Sequence, residues 1–163
     1  MARALLVGCG CRARELGREL LADGWQVRGT ARGPSALEEI ERSGIEPALA
    51  DPDRVGSVLD HVGDVTVVAW LLGSATGSAE EVAALHGPRL ERVLEQLVDT
   101  PVRGFVYEGA GSTPANTLAG GAVAVRDAAA RWRIRVAVLD ADSAEWRQWA
   151  RAARESVRAL TGA

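Results

Sequence analysis

Apolar and polar stretches alternate regularly along the chain. Runs such as "VTVVAWLL" and "GFVY" lack the polar alternation of a sheet with one exposed face, which indicates strands covered on both faces. The hydrophobic pattern predicts strands at 3–8, 25–30, 45–50, 64–71, 102–108 and 134–139. It predicts helices at about 11–22, 34–43, 53–61, 78–98, 117–131 and 143–160.

These elements form six successive βα units. A parallel sheet with helices on both faces accommodates such units, so we predict a three-layer, doubly wound α/β fold. The expected sheet has six mainly parallel strands in the order 3-2-1-4-5-6. No linker, fixed-period repeat or low-complexity tract divides the sequence, and we expect one domain over residues 1–163.

Two features predict how the helix at 78–98 begins and breaks. Ser78 and Glu81 have the spacing of a capping box, in which each side chain bonds to a free amide of the first turn. The pair Gly87–Pro88 should break or kink the helix, because proline lacks an amide donor and clashes with the previous turn.

The last helix carries an apolar stripe. Asp142 and Glu145 offer a capped start similar to that of Ser78. We interpret the stripe as core packing against the sheet, with a homodimer contact as the alternative. Its members are Trp146, Trp149, Ala153, Val157 and Leu160.

Composition narrows the classes of partner. The chain has 163 residues, of which 47% are hydrophobic, and its formal net charge is −3. This charge offers no basic field for nucleic acid. The longest nearly continuous apolar run, 65–72, is far shorter than the roughly 20 residues of a membrane span. No secretory signal is visible at the amino terminus, so we expect a cytoplasmic protein.

Cysteine and lysine usage excludes some chemistry. All 19 basic residues are arginine, which rules out mechanisms that use a lysine amine. Cys9 and Cys11 are the only cysteines, and two thiols alone are too few for a zinc site, so we predict no metal. We interpret both as small turn residues, with a redox-sensitive pair as the alternative.

A glycine motif follows the first predicted strand and opens the first helix. Residues 8–13, "GCGCRA", have the pattern G-x-G-x-x-A. Gly8 would permit the tight turn, Gly10 would let a pyrophosphate approach the backbone, and Ala13 would keep the helix close to the strand. The pattern predicts a dinucleotide site, although a turn that serves only strand-to-helix packing is the alternative.

The residues after the second strand indicate which dinucleotide binds. NAD sites usually place an acidic residue about 20 positions past the glycines, but no Asp or Glu lies between Gly24 and Leu37. A guanidinium suits an adenosine 2′-phosphate, so we expect NADP(H) rather than NAD(H). The candidate arginines are Arg12, Arg28 and Arg32.

Three further residues complete the predicted cofactor site. Thr30 lies 20 residues after Gly10, and Leu71 ends the fourth predicted strand. Asp51, in "ALADPDR", could lie near the adenine, although an Asp-Pro turn explains it equally well.

Several stretches together resemble a known family. "LLVGCGCRARELGRELLADGWQVRGTAR", the "LADPD" turn and the "RGFVYEGAGS" strand look like the atypical or extended short-chain dehydrogenases/reductases, which include sugar-nucleotide epimerases and NmrA-like proteins. The resemblance covers about residues 3 to 140. It implies a Rossmann fold with a dinucleotide site, whereas the substrate class does not follow from it.

The residues at the family's catalytic positions differ in this chain. Members usually carry Tyr-x-x-x-Lys on the helix after the fifth strand, and this chain has no lysine. Aligning that helix on "NTLAGGAVAVRDAA" puts Leu118 and Ala122 at the two positions, and neither can exchange a proton. The only tyrosine, Tyr107, lies on the strand. Extended members also have a substrate-binding region after the sixth strand, and only one helix follows it here.

Other residues could replace the tyrosine as the proton donor. Glu108 ends the fifth strand, where partial burial would raise its pKa, but it could instead bind backbone amides of the "EGAGS" turn. Members of the family also usually place a Ser or Thr after the fifth strand, and Ser112 and Thr113 lie just beyond that position. His86 falls near an asparagine position of the family, and we expect an exposed residue at a helix end.

Two functions therefore fit the sequence. The first is an NADP(H)-binding module without conventional dehydrogenase chemistry, either a redox sensor or a partner subunit. The second is a small oxidoreductase or epimerase-like enzyme in which Glu108 or Ser112 supplies the proton and a small molecule is the substrate. A scaffold that binds no nucleotide is a weaker third interpretation.

Overall fold

The computed structural model describes residues 2–162. Its strands are β1 (Arg3–Val7), β2 (Gln26–Ala31), β3 (Glu46–Leu49), β4 (Val67–Trp70), β5 (Gly104–Glu108) and β6 (Arg135–Leu139). Its helices are α1 (Cys11–Ala22), α2 (Pro34–Arg42), α3 (Val55–Leu59), α4 (Ala79–Leu85), α5 (Pro88–Gln96), α6 (Ala115–Trp132) and α7 (Trp146–Ala159), with a 3-10 turn at Leu97–Asp99. Each predicted strand is present. Five are shortened by one to three residues at an end, and the strand predicted at 25–30 is shifted by one residue to Gln26–Ala31.

All five strand pairings are parallel, and the sheet order is β3-β2-β1-β4-β5-β6. This confirms the predicted doubly wound Rossmann arrangement. The chain builds outwards from β1 to β3 and then returns to the other side of β1 with β4. The reversal between β1 and β4 opens a crevice at the carboxyl ends of the strands, which is where ligands bind in this class of fold.

The core consists of two apolar layers, one on each face of the sheet. β4 shows why its sequence has no polar alternation, since Val68 and Trp70 pack into one layer and Val67 and Ala69 into the other. All four side chains have no exposed surface. The apolar runs in the sequence therefore correspond to strands covered on both faces.

The predicted helix at 78–98 is divided as expected. α4 ends at Leu85, and α5 begins at Pro88, where the missing amide of proline is tolerated in a first turn. The Ser78 hydroxyl accepts a hydrogen bond from the Glu81 amide at 3.1 Å, which confirms that serine as the N-cap.

The start of the last helix differs from the prediction. α7 begins at Trp146 rather than 143, and its N-cap residue Glu145 makes no side-chain capping bond. Asp142 instead accepts a bond from the Ala144 amide inside the preceding loop. The apolar stripe is buried as predicted from Trp149 onwards, but Trp146, the first residue of α7, is 43% exposed.

None of the helices within residues 2–162 combines the length and the apolar character that a membrane span requires.

Candidate functional site

The glycine turn after β1 has the geometry that only glycine adopts easily. Gly8 has φ +84°, and a Cβ there would come within 2.8 Å of the Leu71 carbonyl oxygen. The Gly8 amide donates to the Thr30 hydroxyl at 3.2 Å, and the Cys9 amide donates to the Thr30 carbonyl at 3.0 Å. Thr30, buried on β2, therefore holds the turn in place.

The turn leads directly into the amino end of α1. Gly10 is the N-cap residue, and no side chain caps the first turn of this helix. A Cβ built at Gly10 meets no protein atom within 4 Å, so the backbone borders open space. Ala13, 3% exposed, faces the strands. Uncapped amides and the positive end of the helix dipole together favour an anion at this position.

A cleft of about 460 Å³ lies along the carboxyl ends of β1, β2 and β4. It brings together residues that are more than 60 positions apart in the sequence. The predicted cofactor residues that line it are Gly8, Gly10, Arg12, Thr30, Arg32, Asp51 and Leu71. A smaller neighbouring cleft of about 130 Å³ shares Gly8, Gly10, Arg12 and Leu71 with it and adds Cys11, Ala13, Glu108 and Trp149.

Two arginines bring positive charge to the larger cleft. Within residues 2–162, neither Arg12 nor Arg32 takes part in an ion pair. The Arg12 guanidinium carbon lies 5.6 Å from the centre of the Trp149 ring. The Nε of Arg12 is buried and has no hydrogen-bond partner among the described residues. A buried donor of this kind costs free energy unless a ligand or water accepts from it.

Arg28 does not belong to this site, so that part of the prediction is wrong. Its guanidinium bonds to Glu46 at 2.6 Å, to Asp64 at 2.7 Å and to the His61 carbonyl at 2.7 Å. These carboxylates raise the pKa of Arg28 further above its usual range. Arg28 comes early in β2, whereas the cleft lies at the carboxyl end, so the residue stabilises strand contacts instead.

Acidic residues also line the larger cleft. Asp51 Oδ1 accepts from the Asp53 amide at 2.9 Å, which is the Asp-Pro turn that the sequence offered as an alternative. Asp51 nevertheless borders the cleft, and Asp53 pairs with Arg89 at 3.0 Å. Asp51 thus both forms a turn and faces the cleft.

Glu108 is only 1% exposed and uses both carboxylate oxygens. Oε1 accepts from the Gly73 amide at 2.7 Å, and Oε2 accepts from the Trp149 indole N–H at 2.8 Å. Burial raises its pKa, an effect opposed by the Gly73 bond, the charge of Arg12 and the Trp149 bond. The prediction of amide binding by Glu108 was correct in kind, but the amide belongs to the loop after β4 rather than to the "EGAGS" turn.

Ser112 lines neither cleft, although it contacts Ser74 on the wall of the larger one. It is exposed, and its amide donates to the Ser74 hydroxyl at 3.1 Å. The neighbouring Thr113 amide donates to the Gly73 carbonyl at 3.0 Å. These bonds join the loops after β4 and β5, and the structure does not bring the Ser112 hydroxyl to the predicted site.

His86 is buried, not exposed as the sequence suggested. Its Nδ1 lies 2.6 Å from the Tyr107 hydroxyl, and its Nε2 lies 2.9 Å from the Leu72 carbonyl oxygen. Because a carbonyl only accepts, Nε2 carries a proton. In the neutral ring Nδ1 then accepts from the Tyr107 hydroxyl, whose other neighbour, the Leu118 carbonyl oxygen, is farther away at 3.4 Å. Burial lowers the pKa of His86 and raises that of Tyr107. Burial therefore favours the neutral form of this imidazole.

One sequence signal could have revealed this pair. A Cβ at Gly121 on α6 would come within 2.0 Å of the Tyr107 hydroxyl, so the glycine makes room for it. Leu118 and Ala122, at the family's Tyr and Lys positions, are both buried. Tyr107 thus lies against α6 from the sheet side and lines neither cleft.

The two cysteines have different environments. Cys9 is buried beside Gly29, and burial raises the pKa of its thiol to about 12. Cys11 is exposed, and both thiols are free. A buried protonated thiol is a poor nucleophile, so Cys9 serves packing in the turn.

The fold has many solved counterparts. A short-chain dehydrogenase/reductase superfamily protein from Agrobacterium tumefaciens with bound NAD matches at 19% identity and TM-score 0.68, over 85% of this chain and 48% of that one. UDP-glucose 4-epimerase from Bifidobacterium longum, in complex with NAD+ and UDP, matches at 15% identity and TM-score 0.69, over 85% and 52%. Triphenylmethane reductase from Citrobacter sp., complexed with NADP(H), matches at 15% identity and TM-score 0.65, over 84% and 48%.

These likenesses establish the Rossmann fold of the chain. The chain spans about half the length of each of the three proteins. No protein-family model matches the sequence, and no curated protein does.

Proposed function

We propose that this protein is an NADP(H)-binding Rossmann module without conventional dehydrogenase chemistry, acting as a redox sensor or as the cofactor-binding partner of another subunit. One observation carries the proposal. The glycine turn, the uncapped start of α1 and two arginines that join no ion pair within residues 2–162 line the same cleft at the sheet reversal. Dinucleotide phosphates are bound by this combination of groups.

The pyrophosphate fits the turn at Gly8 and Gly10. Gly10 has no neighbour within 4 Å of a built Cβ, which leaves room for phosphate oxygens to approach the backbone amides. Arg12 borders this position, and its buried Nε has no hydrogen-bond partner in the described part of the chain. A phosphate oxygen would satisfy that donor and balance its charge.

The adenosine fits the end of the cleft after β2 and β3. Arg32 follows β2 and lines the cleft, and its permanently charged guanidinium suits a 2′-phosphate. Asp51, after β3, would lie near the adenine. An acidic residue in the same cleft could instead accept from a ribose hydroxyl, as in NAD sites, so the arginine and the aspartate favour different cofactors.

The module assignment rests on the absence of lysine and on the side chains of α6. Bound NADP(H) supplies hydride exchange at its nicotinamide ring. A carbonyl substrate also needs a proton donor, and Leu118 and Ala122 cannot donate one.

A small oxidoreductase or epimerase-like enzyme is the second candidate. Glu108 and Arg12 both line the smaller cleft, and the carboxyl has a raised pKa. A buried carboxyl that keeps its proton at higher pH can act as an acid. Ser112, the other residue suggested for this role, has no comparable support from its position.

Calorimetric titration with NADPH, NADP+, NADH and NAD+ tests the proposal, after absorbance has excluded copurified cofactor. We expect micromolar NADPH binding that weakens about tenfold or more in Arg32→Ala. Arg126→Ala, an exposed arginine on α6, is the matched control and should bind like the wild type. Equal affinity for NADPH and NADH would contradict the preference, and no binding at all would contradict the function.

Turnover distinguishes the two candidates. A panel of carbonyl substrates is incubated with NADPH and followed by absorbance, in the wild type and in Glu108→Gln. Cofactor binding without oxidation of NADPH supports the module. Turnover that Glu108→Gln abolishes, with NADPH affinity unchanged, supports the enzyme.

A further inference from the structure

The two edges of the sheet differ in the backbone groups that they present. β3 forms one edge and β6 the other. In a parallel pair, alternate residues point their N–H and C=O groups towards the neighbouring strand, and the residues between point outwards. The bonds that each edge strand makes to its neighbour therefore identify the groups left free.

The β3 edge is blocked by proline. The Ala50 amide bonds to the Ala31 carbonyl at 3.1 Å, so even-numbered residues face β2 and odd-numbered ones face outwards. Pro47 is one of the outward residues and has no N–H to offer. Proline at an outward position is a common way to prevent sheet edges from pairing.

The β6 edge carries no such block. The Arg135 amide bonds to the Arg103 carbonyl, and the Leu139 carbonyl accepts from the Gly109 amide at 2.8 Å. Odd-numbered residues therefore face β5, and Val136 and Val138 present free N–H and C=O groups. Within residues 2–162, β6 pairs with β5 alone.

Apolar side chains around this edge are incompletely covered. One set packs on the α6 side of the sheet and the other on the α7 side, and all are only partly buried. The first set is Trp132, Ile134, Val136 and Val138, and the second is Ala137, Ala141 and Ala152. An added strand would cover more of both sets.

The flanks of β6 carry opposite charges. Arg131, Arg133 and Arg135 lie at its amino end, and Asp140 and Asp142 lie at its carboxyl end. None of the five joins an ion pair among the described residues. If two copies of this strand lie antiparallel, the amino end of each, which carries the arginines, lies alongside the carboxyl end of the other, which carries the aspartates. A parallel arrangement would instead place like charges together.

We propose that β6 pairs antiparallel with β6 of a second copy of this chain, which extends the sheet from six strands to twelve across a two-fold axis. The outward groups set the register. Val136 exchanges backbone hydrogen bonds with Val138 of the other copy, and Ala137 lies opposite its own equivalent at the axis. The pairing does not depend on dinucleotide binding.

Sedimentation velocity of the full chain over a range of concentrations tests the pairing. We expect a monomer–dimer equilibrium that Val136→Pro shifts to the monomer. Proline there removes an outward N–H and no bond to β5, so circular dichroism should report an intact fold. Leu49→Ala, an exposed apolar residue on the β3 edge, and Trp146→Ala, on α7, should dimerise like the wild type. A wild type that is monomeric throughout would overturn the proposal, as would a dimer unaffected by Val136→Pro.

Charge reversal keeps the proposal testable if the proline variant does not fold. The double variants Arg133→Asp with Arg135→Asp, and Asp140→Arg with Asp142→Arg, each place like charges together in a homodimer. We expect each to weaken self-association about tenfold or more, and their mixture to form a heterodimer. Homodimers that persist in both variants, or a mixture that stays monomeric, would refute the antiparallel register.

Discussion

Two titratable side chains, His86 and Glu108, keep only 3% and 1% of their surface exposed. Both bond to the segment that follows β4, His86 to the Leu72 carbonyl and Glu108 to the Gly73 amide. A Cβ at Gly73 would come within 2.1 Å of the Ala110 carbonyl, so this segment fits tightly. Because Leu72 borders the larger cleft, these buried polar groups position part of the cleft wall.

The burial of His86 should appear in the pH dependence of stability. Its pKa is lowered from 6.5 in the folded protein, so the unfolded chain binds the proton more readily. The free energy of unfolding should therefore fall as the pH drops below 6.5 towards the folded-state pKa. Urea titrations of the wild type and of His86→Gln at several pH values measure the difference.

The comparison isolates His86 because other titrating groups are common to both proteins. Glu108 acts in the opposite direction: its raised pKa favours the folded state at low pH, and this contribution is lost as the pH rises through the folded-state pKa. Identical pH slopes in the wild type and in His86→Gln would contradict a proton-linked role of this imidazole.

A substitution at Gly10 should change ligand binding without changing the fold. Its φ of −84° is open to other residues, and an added methyl meets no protein atom within 4 Å. We expect Gly10→Ala to fold like the wild type and to lose about tenfold or more in NADPH affinity, measured by calorimetry. Gly56→Ala, which also meets no atom within 4 Å but lies outside both clefts, should bind normally.

At the scale of elements, caps determine where α4 begins. Ser78 accepts the Glu81 amide, and Glu80 and Glu81 lie in the first turn, where the helix dipole favours negative charge. We expect Ser78→Ala to lower the free energy of unfolding by about 1 kcal/mol in urea titrations. Ser35→Ala, an exposed serine in α2 that is not an N-cap, should change stability less.

Arg28, on β2, and Arg32, just after it, have different surroundings. Arg28, bonded to Glu46 and Asp64, joins β2 to the elements beside it, whereas Arg32 faces the cleft. We expect Arg28→Ala to lower the free energy of unfolding by about 1 kcal/mol and to leave NADPH affinity unchanged. We expect Arg32→Ala to weaken NADPH binding and to leave the free energy of unfolding unchanged. Loss of NADPH affinity in Arg28→Ala, with stability intact, would contradict this division.

At the scale of the whole molecule, ligand binding should be visible as stability. A ligand at about 100 times its dissociation constant stabilises the folded state by about 2.7 kcal/mol. For a chain of this length, that corresponds to a rise in Tm on the order of 5–10 °C. We expect NADPH to raise Tm more than NADH at equal concentration, and Arg32→Ala to remove the difference. Equal shifts in the wild type would argue against NADP(H) preference.

Much of the architecture follows from local patterns. The apolar runs predicted six strands, and their βα order predicted the sheet order that the structure has. Gly87–Pro88 predicted the end of one helix, because proline acts on its own turn. The glycine spacing predicted a turn that the positive φ of Gly8 confirms. Each of these depends on neighbours in the sequence.

Side-chain environments were less predictable. The sequence does not distinguish Arg28 from Arg32. Arg28, within β2, is ion-paired, whereas Arg32, just after β2, faces the cleft. The sequence suggested that His86 is an exposed residue at a helix end. In the structure it is buried and lies within hydrogen-bond distance of Tyr107, 21 positions later. Glu108 was expected to bind nearby amides, but its partners are 35 and 41 positions away.

The sequence by itself determined the fold class, the strand order and the glycine turn, because periodicity and backbone sterics act over a few residues. The tertiary structure alone decided that Glu108 and His86 support the cleft wall, that Arg12 and Arg32 share the cleft, and that β6 is an edge strand of the sheet within residues 2–162. These features depend on strands that are distant in sequence being adjacent in the sheet, and that adjacency decides which polar groups find partners and which remain free to bind.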